Sequence, residues 1–240
     1  MLSSTLMSAP KKFVLLAGLA LACLSTLPGY ETVHPLTGRK IAGVCGASGA
    51  SWLERKERET EEHPDEAIEA LDLKPGMNVA DVGAGTGYMS IRMARKVAPD
   101  GKVYANDLQP EMLKLLRKNA AAANITNIET VQGSVERTNL PKSQMDLILM
   151  VDVYHELSEP EKMLRDLKQA LKPDGRLVLI EYRGEDPHVP IQNAHKMTVT
   201  QVKTELEAEG FVLGPVIETL PTQHIFILTK AQSKSAAGGN

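Results

Sequence analysis

The stretch "VADVGAGTGYMSIRMARKVAPDGKVYANDLQPEML", Val79 to Leu113, sets three glycines, Gly83, Gly85 and Gly87, directly after an apolar run, and an aspartate, Asp107, about twenty residues on. A strand that ends near Asp81 and leaves as a helix near Tyr88 points backbone N–H groups at a crevice. Gly83 and Gly85 remove the Cβ atoms that would keep a ligand away, and permit positive φ. An acid after the second strand sits beside that loop, where Asp107 can accept two hydroxyl hydrogen bonds from a ribose. Charge-assisted bonds of this type are worth roughly 1.5–3 kcal/mol each.

Spacing separates two ligands. The dinucleotide fingerprint G-x-G-x-x-G requires glycine where Tyr88 stands, and it holds a pyrophosphate on the helix N-terminus. Here the third glycine comes one residue early and Asp81 precedes the loop. A carboxylate in that place repels pyrophosphate and favours a cationic ligand, such as an amine or a sulfonium.

These residues need elements to hold them. From Met77 onward, apolar runs of strand length alternate with helical patterns: "MNVADV", then Tyr88 to Val97; "KVYAND", then Glu111 to Ala123; "IETVQG"; "MDLILMV", then Glu159 to Leu171; "GRLVLIEY", then Val199 to Glu209. Such alternation predicts an α/β fold, a mostly parallel sheet with helices on both faces. Pro110 and Pro160 fall in first turns, and "APDG" and "KPDG" close two helices. The runs "FVLGPVIETL" and "HIFILTK" are too close for a crossover helix and predict an antiparallel hairpin. Upstream, Ser51 with Glu54 reads as a capping box, and Pro64 precedes a second helix over Asp65 to Leu71.

"VADVGAGTG", "YANDLQPEML", "MDLILMVDVYHEL" and "LKPDGRLVLIEY", in that order and followed by the closing hairpin, resemble the class I S-adenosylmethionine-dependent methyltransferases from about Glu66 to Lys230. The resemblance implies a Rossmann-like sheet of seven strands and S-adenosyl-L-methionine as cofactor. It assigns Gly83, Ala84, Gly85 and Gly87 to the loop under the methionine part of the cofactor, with Asp81 supporting that loop. It assigns Asp107 to the ribose hydroxyls and Leu108 to the adenine face. Gly133-Ser134-Val135 falls where the family often has Gly-Asp-Ala, so Ser134 and Val135 border the adenine, and Ser134 replaces the acid that accepts from its amino group.

Methyl transfer from a sulfonium is an in-line displacement that gains most from a close, aligned nucleophile in a dry site. A base is needed only where the acceptor atom must lose a proton. At the carboxyl ends of the fourth and fifth strands stand Asp152, Tyr154, His155, Glu156, Tyr182, His188 and His195. Asp152 is taken with the cofactor, and His155 with Tyr154 as the catalytic candidates, His155 being the best-placed base. The histidines His155, His188, His195 and His224 show no recognised metal-ligand spacing, so no metal is expected. The Asn-Pro-Pro-Tyr type of motif is absent, since the matching segment reads Met150-Val151-Asp152-Val153, and this favours a small-molecule methyl acceptor. Trp52, Arg55, Arg58 and Glu59 are spaced as one helical side, suited to a lid over the cofactor.

Lys+Arg 27 against Asp+Glu 30 leaves a net charge of −3, so no nucleic-acid partner is expected. Lys11-Lys12 precede "FVLLAGLALACLSTL", a charge-free run too short for a comfortable membrane span, with Ala20-Leu21-Ala22 at its exit. Residues 1–22 therefore read as an export signal, with membrane association through an uncleaved anchor and lipid attachment at Cys23 as alternatives. Cys23 lies inside or at the edge of this segment, so a cleaved chain holds no intramolecular disulfide. Residues 23–64 read as a linker with a charged helix, 65–230 as the catalytic domain and 231–240 as a disordered tail. Two rivals stand beside a methyltransferase: a nicotinamide-dependent oxidoreductase, disfavoured by Tyr88 and the hairpin, and an exported, non-enzymatic ligand-binding module that keeps the fold.

Overall fold

The computed structural model describes residues 32–232. The export segment, Cys23 and nearly all of the tail lie outside them. The helices are α1 (Ala50–Leu53), α2 (Arg58–Glu61), α3 (Pro64–Ala70), α4 (Tyr88–Val97), α5 (Pro110–Ala122), α6 (Pro160–Ala170) and α7 (Val199–Ala208). The strands are β1 (Asn78–Val82), β2 (Lys102–Asp107), β3 (Ile128–Gln132), β4 (Met145–Val151), β5 (Leu171–Arg183), β6 (Lys196–Met197), β7 (Phe211–Ile217) and β8 (Gln223–Lys230).

The strands join in one sheet of order β3-β2-β1-β4-β5-β8-β7. The first five are parallel, and β8 runs antiparallel to both β5 and β7. The seven strands expected from the sequence are joined by an eighth, the two-residue β6, which pairs with Tyr182 and Arg183 at the end of β5. No hydrophobic run announces so short a strand.

A buried parallel strand must be apolar on both faces, and β4 shows why "MDLILMV" does not alternate. Its Leu147 and Leu149 pack with Val79, Val103, Met93, Val97 and Ile180 beneath α3 and α4. Its Ile148 and Met150 face the opposite layer with Leu164, Leu167, Val202, Leu206 and Phe226, from α6, α7 and β8. The sheet thus divides two cores, and α5 joins the first layer through Leu116 against Ala105.

Pro110 and Pro160 open their helices as expected. "KPDG" does more than end α6: Lys172 to Gly175 form a bulge within β5, where the register with β4 shifts. The capping box predicted at Ser51 is not formed, because α1 begins at Ala50 after a 3-10 turn and ends at Leu53, whose carbonyl accepts from the Arg58 guanidinium at 2.7 Å. The capping box instead opens α7, where the Thr198 hydroxyl accepts from the Gln201 N–H and the Gln201 side chain accepts from the Thr198 N–H.

Candidate functional site

The strand order reverses between β2-β1 and β1-β4, and in an open parallel sheet a ligand crevice lies at the carboxyl ends beside that reversal. A cavity of about 820 Å³ occupies this place. Gly83, Gly85, Asn106 and Asp107 form its floor, Leu108, Ser134 and Val135 one edge, and Asp152, His155, Glu156 and His195 the other end.

The glycine loop holds a left-handed backbone at Gly83 (φ 75°), Gly85 (φ 53°) and Gly87 (φ 90°). At Gly83 an added Cβ would lie 2.4 Å from Val153 Cγ2, so glycine there lets β1 and the β4 turn close on one another. Gly85 is pinned by its N–H, which donates to Asp107 Oδ2 at 2.9 Å. Asp107 Oδ1 accepts from the Gln109 N–H at 2.8 Å. Each carboxylate oxygen keeps a lone-pair direction for a ligand. Burial pushes the Asp107 carboxyl above its ordinary range, and the backbone donors of Gln109 and Gly85 oppose that shift.

Ala84 and Asp81 line a small adjoining pocket behind the loop, and Gly87 lines neither space, its place being the turn into α4 against Leu116. Gly87 thus belongs to the loop as expected, with its part played through the backbone. Asp81 is buried and accepts from the Ser90 hydroxyl at 2.5 Å. Burial pushes its carboxyl up to about 6, with the Ser90 bond opposing. A carboxyl bound more tightly to its proton in the fold than its ordinary 3.8 costs stability once both states ionise. That cost grows as pH rises from about 4 to 6 and is absent below. Asp81→Asn is accordingly expected to stabilise the ligand-free protein at pH 7.5 by about 1–3 kcal/mol. Urea melts at pH 7.5 and pH 4 check this, and an equal effect at both would contradict it.

Leu108 and Val135 are large apolar side chains left 41% and 48% exposed at the mouth. The Ser134 hydroxyl is turned into its own loop, accepting from the Glu136 and Arg137 N–H groups at 3.3 Å. Asp152 is held at φ 53°, a costly conformation for a residue with a side chain. Its Oδ2 accepts from Gln223 Nε2 at 2.8 Å, while Oδ1 is shielded from solvent with no hydrogen-bond partner among the described residues. Burial, with the neighbouring Glu62 and Glu181, raises its carboxyl well above the ordinary range. Glu62, which also lines the cavity, is gripped by Arg55 at 2.9 Å and Arg58 at 2.8 Å.

The 3-10 turn Tyr154–Glu156 carries the far end. His155 is buried, with Nδ1 2.6 Å from Glu181 Oε2 and Nε2 3.1 Å from His195 Nδ1. Burial alone would lower the His155 pKa, but the Glu181 carboxylate more than offsets it and raises it. Burial and the facing His155 push His195 down to about 4. Burial pushes Glu156 up to about 7, and its Oε1 accepts one N–H, from Cys45 at 3.3 Å.

Tyr154 is corrected outright. Its ring is wholly buried on the far side of the turn, and its hydroxyl donates to Glu205 Oε2 at 2.8 Å. His188 pairs with Asp186 at the surface, and His224 lies between Glu218 and Glu185, so neither reaches the cavity. Glu181 escaped the sequence reading because it sits inside "LVLIEY", where a strand residue is read as core. A lone acid in such a run was the available signal.

The cavity is roofed by the segment before α2. The Gln109 amide ties it down from both sides, accepting from the Ala47 N–H and donating to the Cys45 carbonyl, each at 2.9 Å. Trp52 and Arg58 line the cavity, Arg55 stacks over Trp52 at 3.9 Å, and Arg58 over the Tyr88 ring at 4.0 Å. The single helical side expected for these residues is split between α1 and α2. Farther back, Arg39 Nε bonds both Glu205 oxygens at 2.9 and 3.1 Å and Arg39 Nη1 donates to the His155 carbonyl at 3.2 Å.

Residues 73–230 match the family model described as a methyltransferase domain. Over 125 residues the chain is 29% identical to the demethylmenaquinone methyltransferase of Listeria monocytogenes serotype 4a, covering 52% of each chain. Over 116 residues it is 32% identical to the ubiquinone/menaquinone biosynthesis C-methyltransferase UbiE of Escherichia fergusonii, covering 48% of this chain and 46% of that one. The chain thus spans about half the length of these curated relatives. Among solved structures, a SAM-dependent methyltransferase from Aquifex aeolicus superposes with a TM-score of 0.72 at 29% identity, over 76% of this chain and 97% of that one. A TehB-like methyltransferase from Corynebacterium glutamicum, at 16% identity and a TM-score of 0.59, shares the fold over 77% of this chain and 97% of its own. With the loop, the acid after β2 and the closing hairpin in one sheet, the chain belongs to the methyltransferase-domain family, as a class I S-adenosylmethionine-dependent methyltransferase.

Proposed function

We propose that the protein transfers a methyl group from S-adenosylmethionine to a small, largely apolar acceptor carrying an oxygen-bearing or acidic centre. The observation that carries this reading is the continuity of one cavity from Gly83, Gly85 and Asp107 to His155, Glu156 and His195. Its volume falls in the range of roughly 300–1,000 Å³ usual for small-molecule sites.

The residues present fit the cofactor. Asp107 is offered to vicinal hydroxyls, Leu108 and Val135 flank the place of a flat base, and the unpartnered Asp152 Oδ1 suits a cationic or N–H group. The cofactor supplies an electrophilic methyl on a sulfonium. The chain's part is to hold the acceptor in line, exclude water under the Cys45 to Leu53 roof, and receive the acceptor's polar atom at the imidazole–carboxylate end. Ile41, Val44, Leu157, Met163 and Ile191 make the wall between apolar. The relatives' names point to quinone precursors, and a planar hydroquinone-like ring is the acceptor class this wall suits.

Calorimetry with S-adenosylhomocysteine, S-adenosylmethionine and NAD tests the cofactor half, with binding of the first two and none of the third expected. Turnover is then sought with an acceptor panel and labelled methyl donor. Tight S-adenosylhomocysteine binding with no turnover across the panel and a host extract would instead favour the exported binding module.

We further propose that residues 1–22 direct export and that the mature chain starts after Ala22. No helix among the described residues is long and apolar enough to cross a membrane. Intact-mass measurement on protein from its native host checks the start. A full-length chain recovered from the cytoplasm would overturn it, and a lipid-sized increment on a chain starting at Cys23 would replace cleavage with lipid anchoring.

A further inference from the structure

We propose that His155, Glu156 and His195 form a site for one divalent transition-metal ion of the zinc class, at the acceptor end of the cavity. A nitrogen from each imidazole and a Glu156 carboxylate oxygen lie within 4.8 Å of one another, and all three residues line the cavity. Two imidazoles and a carboxylate are a donor set of catalytic zinc centres that keep a fourth position open.

The distances suit an ion. Two nitrogens bound at about 2.0–2.1 Å with a tetrahedral angle stand roughly 3.3 Å apart. His155 Nε2 and His195 Nδ1 are 3.1 Å apart. A shift of a few tenths of an ångström converts a shared hydrogen into a shared metal, and Glu156, a long side chain in a partly open wall, can swing to close the third bond.

The surroundings are those of a metal-bound imidazole. Metal-ligating histidines generally give their second ring nitrogen to a carboxylate, which fixes the tautomer and raises ligand basicity. His155 Nδ1 is held this way by Glu181, whose own position is fixed by the Tyr154 N–H at 2.8 Å and the Val153 N–H at 3.3 Å. The ring therefore presents Nε2 toward His195 and the cavity. Glu156 accepts only the long Cys45 N–H bond recorded at its carboxylate, which leaves most of its lone pairs for a cation. The carboxyl groups of Asp152 and Glu62 line the same cavity, Glu62 being gripped by Arg55 and Arg58.

The bare alternative is a metal-free dyad, with one hydrogen shared between His155 Nε2 and His195 Nδ1. It leaves Glu156 with no role beyond the long Cys45 bond. The ion gives all three residues one, and its open position faces the space assigned above to the acceptor's oxygen. That last assignment rests on the methyltransferase reading, but metal binding does not.

The test uses full-length protein stripped with a chelator and titrated with zinc against a chromophoric competitor, and with cobalt(II), whose visible bands report a four-coordinate nitrogen–oxygen site. One equivalent per chain is expected, with a dissociation constant at or below about 1 µM. His195→Ala should weaken zinc by at least about 100-fold and abolish the cobalt bands, Glu156→Gln by at least about tenfold, and Glu181→Gln by roughly 10–100-fold. His188→Ala, at the surface outside the cavity, should leave both unchanged. Thermal melts confirm that each variant is folded, and the exposed side of the His195 turn makes that variant the safest. Zinc binding weaker than about 100 µM, or binding equal in wild type and His195→Ala, would overturn the site in favour of the dyad. S-adenosylhomocysteine titrated in parallel separates the two readings: its binding without zinc removes the metal alone, and zinc without it removes the methyltransferase reading alone.

Discussion

Asp107→Ala is expected to weaken S-adenosylhomocysteine binding by roughly 3–5 kcal/mol, at least a hundredfold, while the protein stays folded. Two charge-assisted bonds to ribose hydroxyls would be lost, each worth roughly 1.5–3 kcal/mol. The same carboxylate also holds the Gly85 N–H and the Gln109 N–H. Gln109 in turn ties the roof at Ala47 and Cys45. One side chain thus places the ligand's sugar, the glycine loop beneath it and the cover above it. Asp107→Asn keeps one acceptor oxygen and should fall between wild type and alanine. Calorimetry measures both, with circular dichroism as the control for folding. Wild-type affinity in a folded Asp107→Ala protein would sink the ribose assignment.

Glu181→Ala is the change expected to cost most stability, about 3–5 kcal/mol. Glu181 is fully buried on β5, and its two oxygens serve three groups: the Tyr154 and Val153 N–H groups and His155 Nδ1. Alanine leaves a buried imidazole without its counter-ion and orphans the backbone donors of the turn that carries it. Glu181→Gln retains an acceptor for the Tyr154 N–H and should recover part of the loss. Urea unfolding at pH 7.5 gives the number. A loss under about 1 kcal/mol for alanine would show that this pair contributes little to the fold.

The parts of this molecule written in periodic residues were legible in the sequence. The parallel core strands, the helices between them and the final hairpin follow from apolar runs, prolines and short connections, and the glycine loop with Asp107 follows from spacing. What could not be read lies where a residue's partner is remote in sequence. Tyr154 and His155 are adjacent, yet the turn sends one hydroxyl to Glu205 in the core and the other ring toward the cavity. His155 and His195 meet across 40 residues because β6 hooks the preceding loop onto the end of β5. Glu181 is hidden by apolar neighbours on both sides. The capping box at Ser51 failed for a related reason, since the Arg58 guanidinium reaches back to the Leu53 carbonyl and α1 stops.

The latch between Arg39 and Glu205 spans 166 residues of sequence. Chain this long must be ordered before that pair can form, and closing such a loop carries an entropic cost that local contacts do not. The segment leading into the roof therefore gains this further anchor, behind the Gln109 ties, only once α7 has been made. A chain halted before residue 205 would have its glycine loop, its Asp107 and its His155 in sequence, yet lack the Arg39 latch behind its cover. The rearmost support of the ligand's cover is thus supplied by the last helix in the described chain.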